Sequence, residues 1–347
     1  MGISDMNLGV PARGNLDVVR FGFLLLPEFP LYGLVPATEA LRIANQYNGR
    51  KIYDWLLISE DSVSVASGSG IALGADVTVR DVDWLPIVLV FGGNHPTQHL
   101  SKRMLNWLRR LARHGSVIGG IDTGAFMLAE AGLLQGRRAT VHWESVSTFR
   151  ELYPDIDVSE QLYEVDRDRI TCAGGNATLD LMINIIGRLH GAALAQMVTN
   201  AFVAHREREC VEPQRLDPEP PCIDAKSPLT QIIQDMEGNI RTPLPAQRLA
   251  ERAGMSVRAL NRLFHDRIGE APMSFYRKIR LQAARNTLFY SDIAIQDVAT
   301  ACGFGSPEVF SRSFKAHFGI APLEFRRRAT SDALQRYRPE LRQKVSF

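Results

Sequence analysis

The last third of the chain repeats itself, and this constrains the fold more than any other feature. One copy reads LAERAGMSVRALNRLFHDRIGEAPMSFYRK from Leu249, and the other reads VATACGFGSPEVFSRSFKAHFGIAPLEFRR from Val298. Ala250 and Gly254 match Ala299 and Gly303 at an offset of 49 residues. After a one-residue insertion, Arg262, Phe264, Gly269, Ala271, Pro272, Phe275 and Arg277 match Arg312, Phe314, Gly319, Ala321, Pro322, Phe325 and Arg327 at an offset of 50. A unit written twice at this spacing is one supersecondary motif built twice. Each copy has the form of a helix-turn-helix. A short apolar helix ends at a glycine (Gly254, Gly303) that takes the sharp turn, and a serine (Ser256, Ser306) caps the next helix. That second helix is expected to bury Val257, Leu260, Leu263 and Phe264 in one copy and Val309, Phe310 and Phe314 in the other.

Its opposite face carries Arg258, Asn261, Arg262 and His265 in the first copy, and Glu308, Ser311, Arg312 and Lys315 in the second. Arginine can bond both acceptors of a guanine edge and asparagine those of adenine, so such a helix suits a major groove. The run CGFGSPEVFSRSFKAHFGIAPLEFRR resembles the signature of the AraC/XylS transcriptional regulators, over about Pro228–Arg328. The resemblance implies an all-α domain of two helix-turn-helix units joined by a long helix, roughly Ser274–Leu288, binding double-stranded promoter DNA. It places Arg258, Asn261, Arg262, Val309 and Arg312 where that family reads bases. His265, Ser306 and Lys315 complete the expected DNA face. Pro307 and Glu308 are less typical base readers, so the second helix is expected to rely more on phosphates.

Charge follows the same division. Over 347 residues the formal net charge is +2, but residues 229–347 carry a surplus of +8 and residues 1–228 a deficit of −6. A basic third beside an acidic remainder suits a nucleic-acid module joined to something else. Between them ECVEPQRLDPEPPCIDAKSP, residues 209–228, has five prolines and no apolar periodicity, and reads as a linker. Residues 1–16 and 331–347 read as tails, with Leu334–Leu341 able to continue a helix, which leaves expected domains at 17–208 and 229–330. No apolar run approaches a membrane span, and the N-terminus lacks a secretory pattern. Cys172, Cys210, Cys222 and Cys302 show no CxxC spacing. A cytoplasmic protein without disulfides, membrane partner, metal or other cofactor is expected.

Residues 17–208 alternate strand with helix. Val18–Leu26, Asp54–Ser59, Leu85–Phe91, Val117–Ile121 and a strand entering Cys172 read as buried strands, with short strands over Gly68–Val79. Helices are expected over Leu34–Asn45, Gln98–His114, Gly124–Ala131 and Leu179–Arg188. Near-continuous apolar strands separated by helices predict a doubly wound parallel sheet, with ligands bound at the strands' carboxyl ends. Those ends fall at Gly92–His95, Asp122–Gly124 and Cys172–Asn176. His95 and His99 are split by Pro96 with no carboxylate following, so a zinc site is not expected. No phosphate-binding glycine loop is present.

FGGN and GGIDTGAFMLAEAGLLQGRRATVHWES resemble the class I glutamine-amidotransferase-like (PfpI-type) domains fused to AraC modules in the GlxA-like regulators. The resemblance spans about Val18–Arg206 and implies a flavodoxin-like α/β fold. Catalytic relatives carry a cysteine at a tight strand-to-helix elbow, where helix amides favour the thiolate. Asp122 stands there instead, so no catalytic residue is assigned and an enzyme is not expected. Cys172 reads as packed and inert. Asp122 is either a helix cap held by local amides or also a pocket carboxylate facing a cationic ligand. His142 reads as a ligand hydrogen-bond partner or a packed histidine, and Trp143 as a cation–π partner or a core residue. With Gly93, Asn94, His95 and Thr123 they form the candidate ligand set. Glu39 either lines the same pocket or lies on the surface.

The resemblance implies a homodimeric activator of catabolic genes, working with RNA polymerase and a small-molecule effector. Members of the group regulate carnitine, glycine betaine and arginine catabolism, and the acidic elbow favours an amine or quaternary ammonium compound. Two other readings stand beside it. One is a cysteine-independent hydrolase or amidotransferase carrying a DNA-binding domain. The other is a constitutive DNA-binding protein whose first domain only dimerises.

Overall fold

Alternation in the strands sorts their side chains onto two faces, and two separate cores result. The computed structural model describes residues 18–203, Cys210, Glu212, Gln214 and 227–328. The expected tails 1–16 and 331–347, the helix continuation over Leu334–Leu341, and most of the expected linker lie outside the described residues. The chain divides into two compact units, Met1–Gln214 and Arg215–Phe347.

In the first unit the elements run β1 (Val19–Leu25), α1 (Leu31–Asn48), β2 (Tyr53–Ser59), β3 (Ser64–Ala66), β4 (Ala72–Gly74), β5 (Val77–Thr78) and β6 (Ile87–Gly92). They continue with α2 (Lys102–Arg113), β7 (Val117–Asp122), α3 (Gly124–Glu130), β8 (Arg138–Thr140), α4 (Val146–Leu152), β9 (Asp157–Ser159), β10 (Tyr163–Asp166), β11 (Arg169–Cys172), α5 (Asn176–His190) and α6 (Ala192–Ala201). Seven strands form one sheet in the order β10-β11-β7-β6-β1-β2-β5. Only the β10–β11 pair in this sheet is antiparallel. Phe21, Phe23 and Leu25 of β1 and Ile87, Leu89 and Phe91 of β6 face one core, with α1, α5 and α6. Leu24 and Leu26, with Val88 and Val90, face the other, with α2, α3 and α4. The period of two thus gives each strand two buried faces, as a doubly wound sheet requires.

The sequence reading underestimated the ends of this unit. α6 and the strands β8, β9 and β10 were not anticipated, because they are short or lack a long apolar stripe. Within the stretch expected to be linker, the Gln214 amide donates to Thr140 Oγ1 and to the carbonyls of Val141 and Gln161, each at 3.0 Å. The carbonyl of Cys210 accepts from the Leu162 amide at 3.1 Å. These polar contacts fasten the segment to the first unit despite its lack of apolar periodicity.

The second unit contains α7 (Pro228–Gly238), α8 (Ala246–Arg252), α9 (Val257–Ile268), α10 (Pro272–Tyr290), α11 (Ile295–Ala301) and α12 (Pro307–Phe318), and residues 322–328 are again helical. α7 also begins inside the expected linker, with Ser227 capping it by accepting from the Thr230 amide. α10 extends past the expected ends of the long helix, and its two halves serve different cores. Tyr276 packs with Leu249, Leu260 and Phe264, whereas Leu281, Ala284 and Leu288 pack with Val298, Phe310 and Phe314. Each helix-turn-helix therefore has its own apolar centre, and α10 joins them.

Candidate functional sites: the elbow and the paired helices

β7 ends at Asp122, which lies in register with Gly92 of β6. The chain then turns into α3 with Asp122 at φ 60°, a left-handed conformation that costs a non-glycine residue of order 1 kcal/mol or more. The turn lies almost backbone to backbone on β6, since a Cβ on Gly124 would come within 2.1 Å of the Val90 carbonyl. Thr123 ties the turn to the next strand end by donating its hydroxyl to the Gly93 carbonyl at 2.6 Å. This is the geometry of a nucleophile elbow, but the elbow side chain ends in a carboxylate rather than sulfur.

Asp122 is not the helix cap. That position is Thr123, whose side chain makes no capping hydrogen bond to α3. The Asp122 carboxylate accepts the Thr123 amide and lies against the β11–α5 loop, where a Cβ on Gly174 would meet Oδ2 at 2.9 Å. Burial pushes its carboxyl up to about 6 and Glu144 adds to the rise, while His142 and the Thr123 amide oppose it. His142 Nδ1 lies 3.9 Å from Glu144 Oε2. The structure thus brings Asp122, Thr123, Gly93, His142 and Glu144 together. Cys172, on the adjacent strand end, is buried and its thiol is pushed up to about 12, so it is packed and unreactive.

Two readings that the sequence leaves open are narrowed here. Trp143 is 36% exposed and does not enter a core, because it sits in a short 3-10 turn, Trp143–Ser145, with its ring 5.7 Å from that of His142. Glu39 lies about two helical turns beyond Tyr32 and grips Arg42 on the exposed side of α1, at 2.7 Å. Asn94 lies over the Gly68 turn, and His95 is buried with φ 52° ahead of a 3-10 turn, Pro96–His99. Sequence reasoning did not single out three neighbours of this region. Glu28 is 7% exposed with φ 63°, and its carbonyl fills the space that a Gly93 side chain would need. Tyr32 donates to the Asn176 side chain above the Gly174–Gly175 turn. Glu144 reaches Asp122 electrostatically. The Gly174-Gly175 pair after a strand was the available signal for the loop.

The paired helices repeat in three dimensions what they repeat in sequence. Ser256 and Ser306 cap α9 and α12 by accepting from the Ala259 and Val309 amides. Burial along 261–270 and 311–320 is the same position by position, with Phe264 and Phe314 inside and Arg262 and Arg312 outside. Arg258, His265 and Lys315 are also exposed. Asn261 is half-buried and donates to the Val257 carbonyl of its own helix at 2.9 Å, which leaves its amide oxygen as an acceptor. Ser306 is engaged as the cap. Val257 and Val309 are corrections: at 38% and 43% exposed they belong to the outer face, because the first turn of each helix projects beyond the apolar centre. An exposed valine there can meet a thymine methyl. In α12, Glu308 is held below the usual carboxylate range by the Ser306 hydroxyl, its own amide and nearby Arg312.

No helix among the described residues is long and apolar enough to cross a membrane. Residues 249–328 match a family described as a helix-turn-helix domain, and residues 23–188 match the DJ-1/PfpI family. The HTH-type transcriptional regulator CdhR of Pseudomonas aeruginosa is 40% identical over 306 residues, covering 88% of this chain and 91% of that one. The HTH-type transcriptional regulator GlxA of Rhizobium meliloti is 36% identical over 91% of this chain and 98% of its own. GbdR of P. aeruginosa, also an HTH-type transcriptional regulator, is 35% identical over 92% of this chain and 86% of its own. All three relatives are named as transcriptional regulators, which supports a regulator over the hydrolase reading. With both domains matched in order and most of each relative's length covered, the chain belongs to the AraC-type HTH transcriptional regulators that carry an N-terminal DJ-1/PfpI domain.

Proposed function

We propose that the elbow is an effector site and that a small cationic metabolite bound there changes how the paired helices engage promoter DNA, activating catabolic genes together with RNA polymerase. The observation that carries this reading is the carboxylate of Asp122, set at a strained turn with its negative charge opposed by burial. A buried charge that is costly alone gains most from an opposite partner. Trp143, partly exposed beside His142, offers a π face to an ammonium group, and Glu144 adds a second carboxylate. Quaternary ammonium compounds such as carnitine and glycine betaine, and arginine, have the required charge. Gly93, Asn94, His95 and Thr123 shape the neighbouring wall, whereas Glu39 does not support the reading.

On DNA, Arg258, Asn261, Arg262, Val309 and Arg312 read bases, with His265, Ser306 and Lys315 at the phosphates. Exposed Tyr32 and Val35 on α1 and Met197 on α6 favour a homodimer through the first domain, an apolar surface that a second copy would cover. Calorimetric titration of the full chain with these compounds tests the effector site. Saturable binding that disappears in Asp122→Ala is expected, and no heat at millimolar concentration would count against it.

A further inference from the structure

A second polar site lies at the other end of the sheet. β11 begins at Arg169, and the Ile118 amide at the start of β7 donates to the Asp168 carbonyl. This is the amino end of the strands, about 13–17 Å along β7 from Asp122. A cleft of about 500 Å³ opens there, lined by Asn106, Arg109, Ala112, Arg113, Leu133 and Arg169. Its size is in the range of small-molecule sites.

Arg169 is the unusual member. Its side chain is only 8% exposed, and one nitrogen, Nη1, serves Asp168 by reaching Oδ2 at 3.0 Å and the carbonyl at 2.8 Å. Its Nε is buried and has no partner among the described residues. The same side chain lines the cleft, and the Nε–Nη2 edge of a guanidinium has the geometry that takes two oxygens of one anion. A buried donor left unmade is costly, so the unmet Nε of a side chain that lines a cleft favours an acceptor there.

The surrounding charges favour an anion. Arg113 is exposed at the end of α2. Arg109 caps α3, donating to the Glu130 and Ala131 carbonyls, and so covers the helix end that would repel a negative group. Asp168 is shared by Arg137 and Arg169, and Asp166 is held by Arg137, with exposed Arg167 nearby. Arg109, Arg113, Arg137 and Arg169 therefore outnumber Asp166 and Asp168 locally, although residues 1–228 carry a net charge of −6. We propose that this cleft is a second ligand site, binding the phosphate group of free phosphate or a phosphorylated metabolite on the Arg169 fork and Arg113. A dianion matches the local excess of cations better than a monocarboxylate does.

The test is calorimetric titration of the full chain with sodium phosphate, and separately with glycerol phosphate, at constant ionic strength. Saturation at about 1 mM is expected, weakened about tenfold by Arg113→Ala and further by Arg169→Gln. The paired-helix variant Arg262→Ala and the elbow variant Asp122→Asn should bind as the wild type, which separates this site from the DNA face and from the effector site. Tighter binding of the ester than of inorganic phosphate would identify a phosphorylated metabolite as the ligand, and equal binding the free ion. Absence of saturable heat, or wild-type affinity in Arg113→Ala, overturns the proposal. Arg113 is exposed, so that variant decides the matter even if Arg169→Gln does not fold.

Discussion

Asp122 sits in a conformation and an environment that both work against it. Its carboxyl rises from 3.8 to about 6, mainly through burial, so the ionised form is disfavoured in the folded chain. For an acid with a raised folded value, the stabilisation is fully present below 3.8 and is lost as pH climbs through about 6. Asp122→Asn keeps the shape without the charge. It is expected to match the wild type near pH 4 and to exceed it by about 1–3 kcal/mol at pH 7.5, read by urea denaturation at both values. Equal stability at pH 7.5 would show that local amides already satisfy the charge. A cationic effector has the opposite dependence, because it requires the ionised form, so its affinity should rise between pH 5 and 7. The sequence placed an aspartate at a strand-to-helix junction. It did not show the positive φ or the approach of Glu144, because both depend on how segments distant in sequence fold back onto β7.

The two helix-turn-helix turns look equivalent in sequence but are packed differently. Gly254 and Gly303 both have positive φ, 65° and 69°. A Cβ on Gly254 would meet nothing within 4 Å, whereas one on Gly303 would lie 2.5 Å from the Ile240 carbonyl and 2.7 Å from Pro243. Gly254→Ala should therefore cost about 1 kcal/mol for the backbone conformation alone. Gly303→Ala should cost at least twice that, since the segment after α7 must move, and urea midpoints compare the two directly. Arg280 fastens the second turn by donating to the Cys302 and Gly303 carbonyls while stacking 4.3 Å from the Phe304 ring. The DNA face has its own test. Arg262→Ala and Arg312→Ala should each weaken specific binding by about 1–3 kcal/mol in a mobility-shift titration if they reach base edges. Unchanged affinity in both would remove α9 and α12 as readers. These elements were legible in the sequence because repeated apolar spacing, capping serines and turn glycines act locally. The exposure of Val257 and Val309 was not, because helical spacing alone cannot tell how far the first turn projects past its core.

At the scale of the whole chain, a regulator needs its two units to exchange free energy, and thermodynamics fixes the form of that exchange. An effector that raises DNA affinity by some factor must itself bind tighter by the same factor when DNA is present. Coupling of this kind usually lies between about 5-fold and 150-fold. The full chain should show equal factors in two independent measurements: DNA titrations with and without saturating effector, and effector titrations with and without DNA selected for tight binding. The comparison must hold salt constant, because a domain carrying a surplus of +8 over residues 229–347 binds phosphates in a way that weakens steeply with ionic strength. Asp122→Ala should reduce both factors to one while leaving the DNA affinity of the unliganded chain unchanged, since the paired helices keep their own cores. If the wild-type chain already gives a factor of one in both directions, the first unit has no regulatory role through the elbow. Unequal factors would instead mean that the effector also binds the DNA-reading unit, which the same titrations on an Arg262→Ala background would reveal.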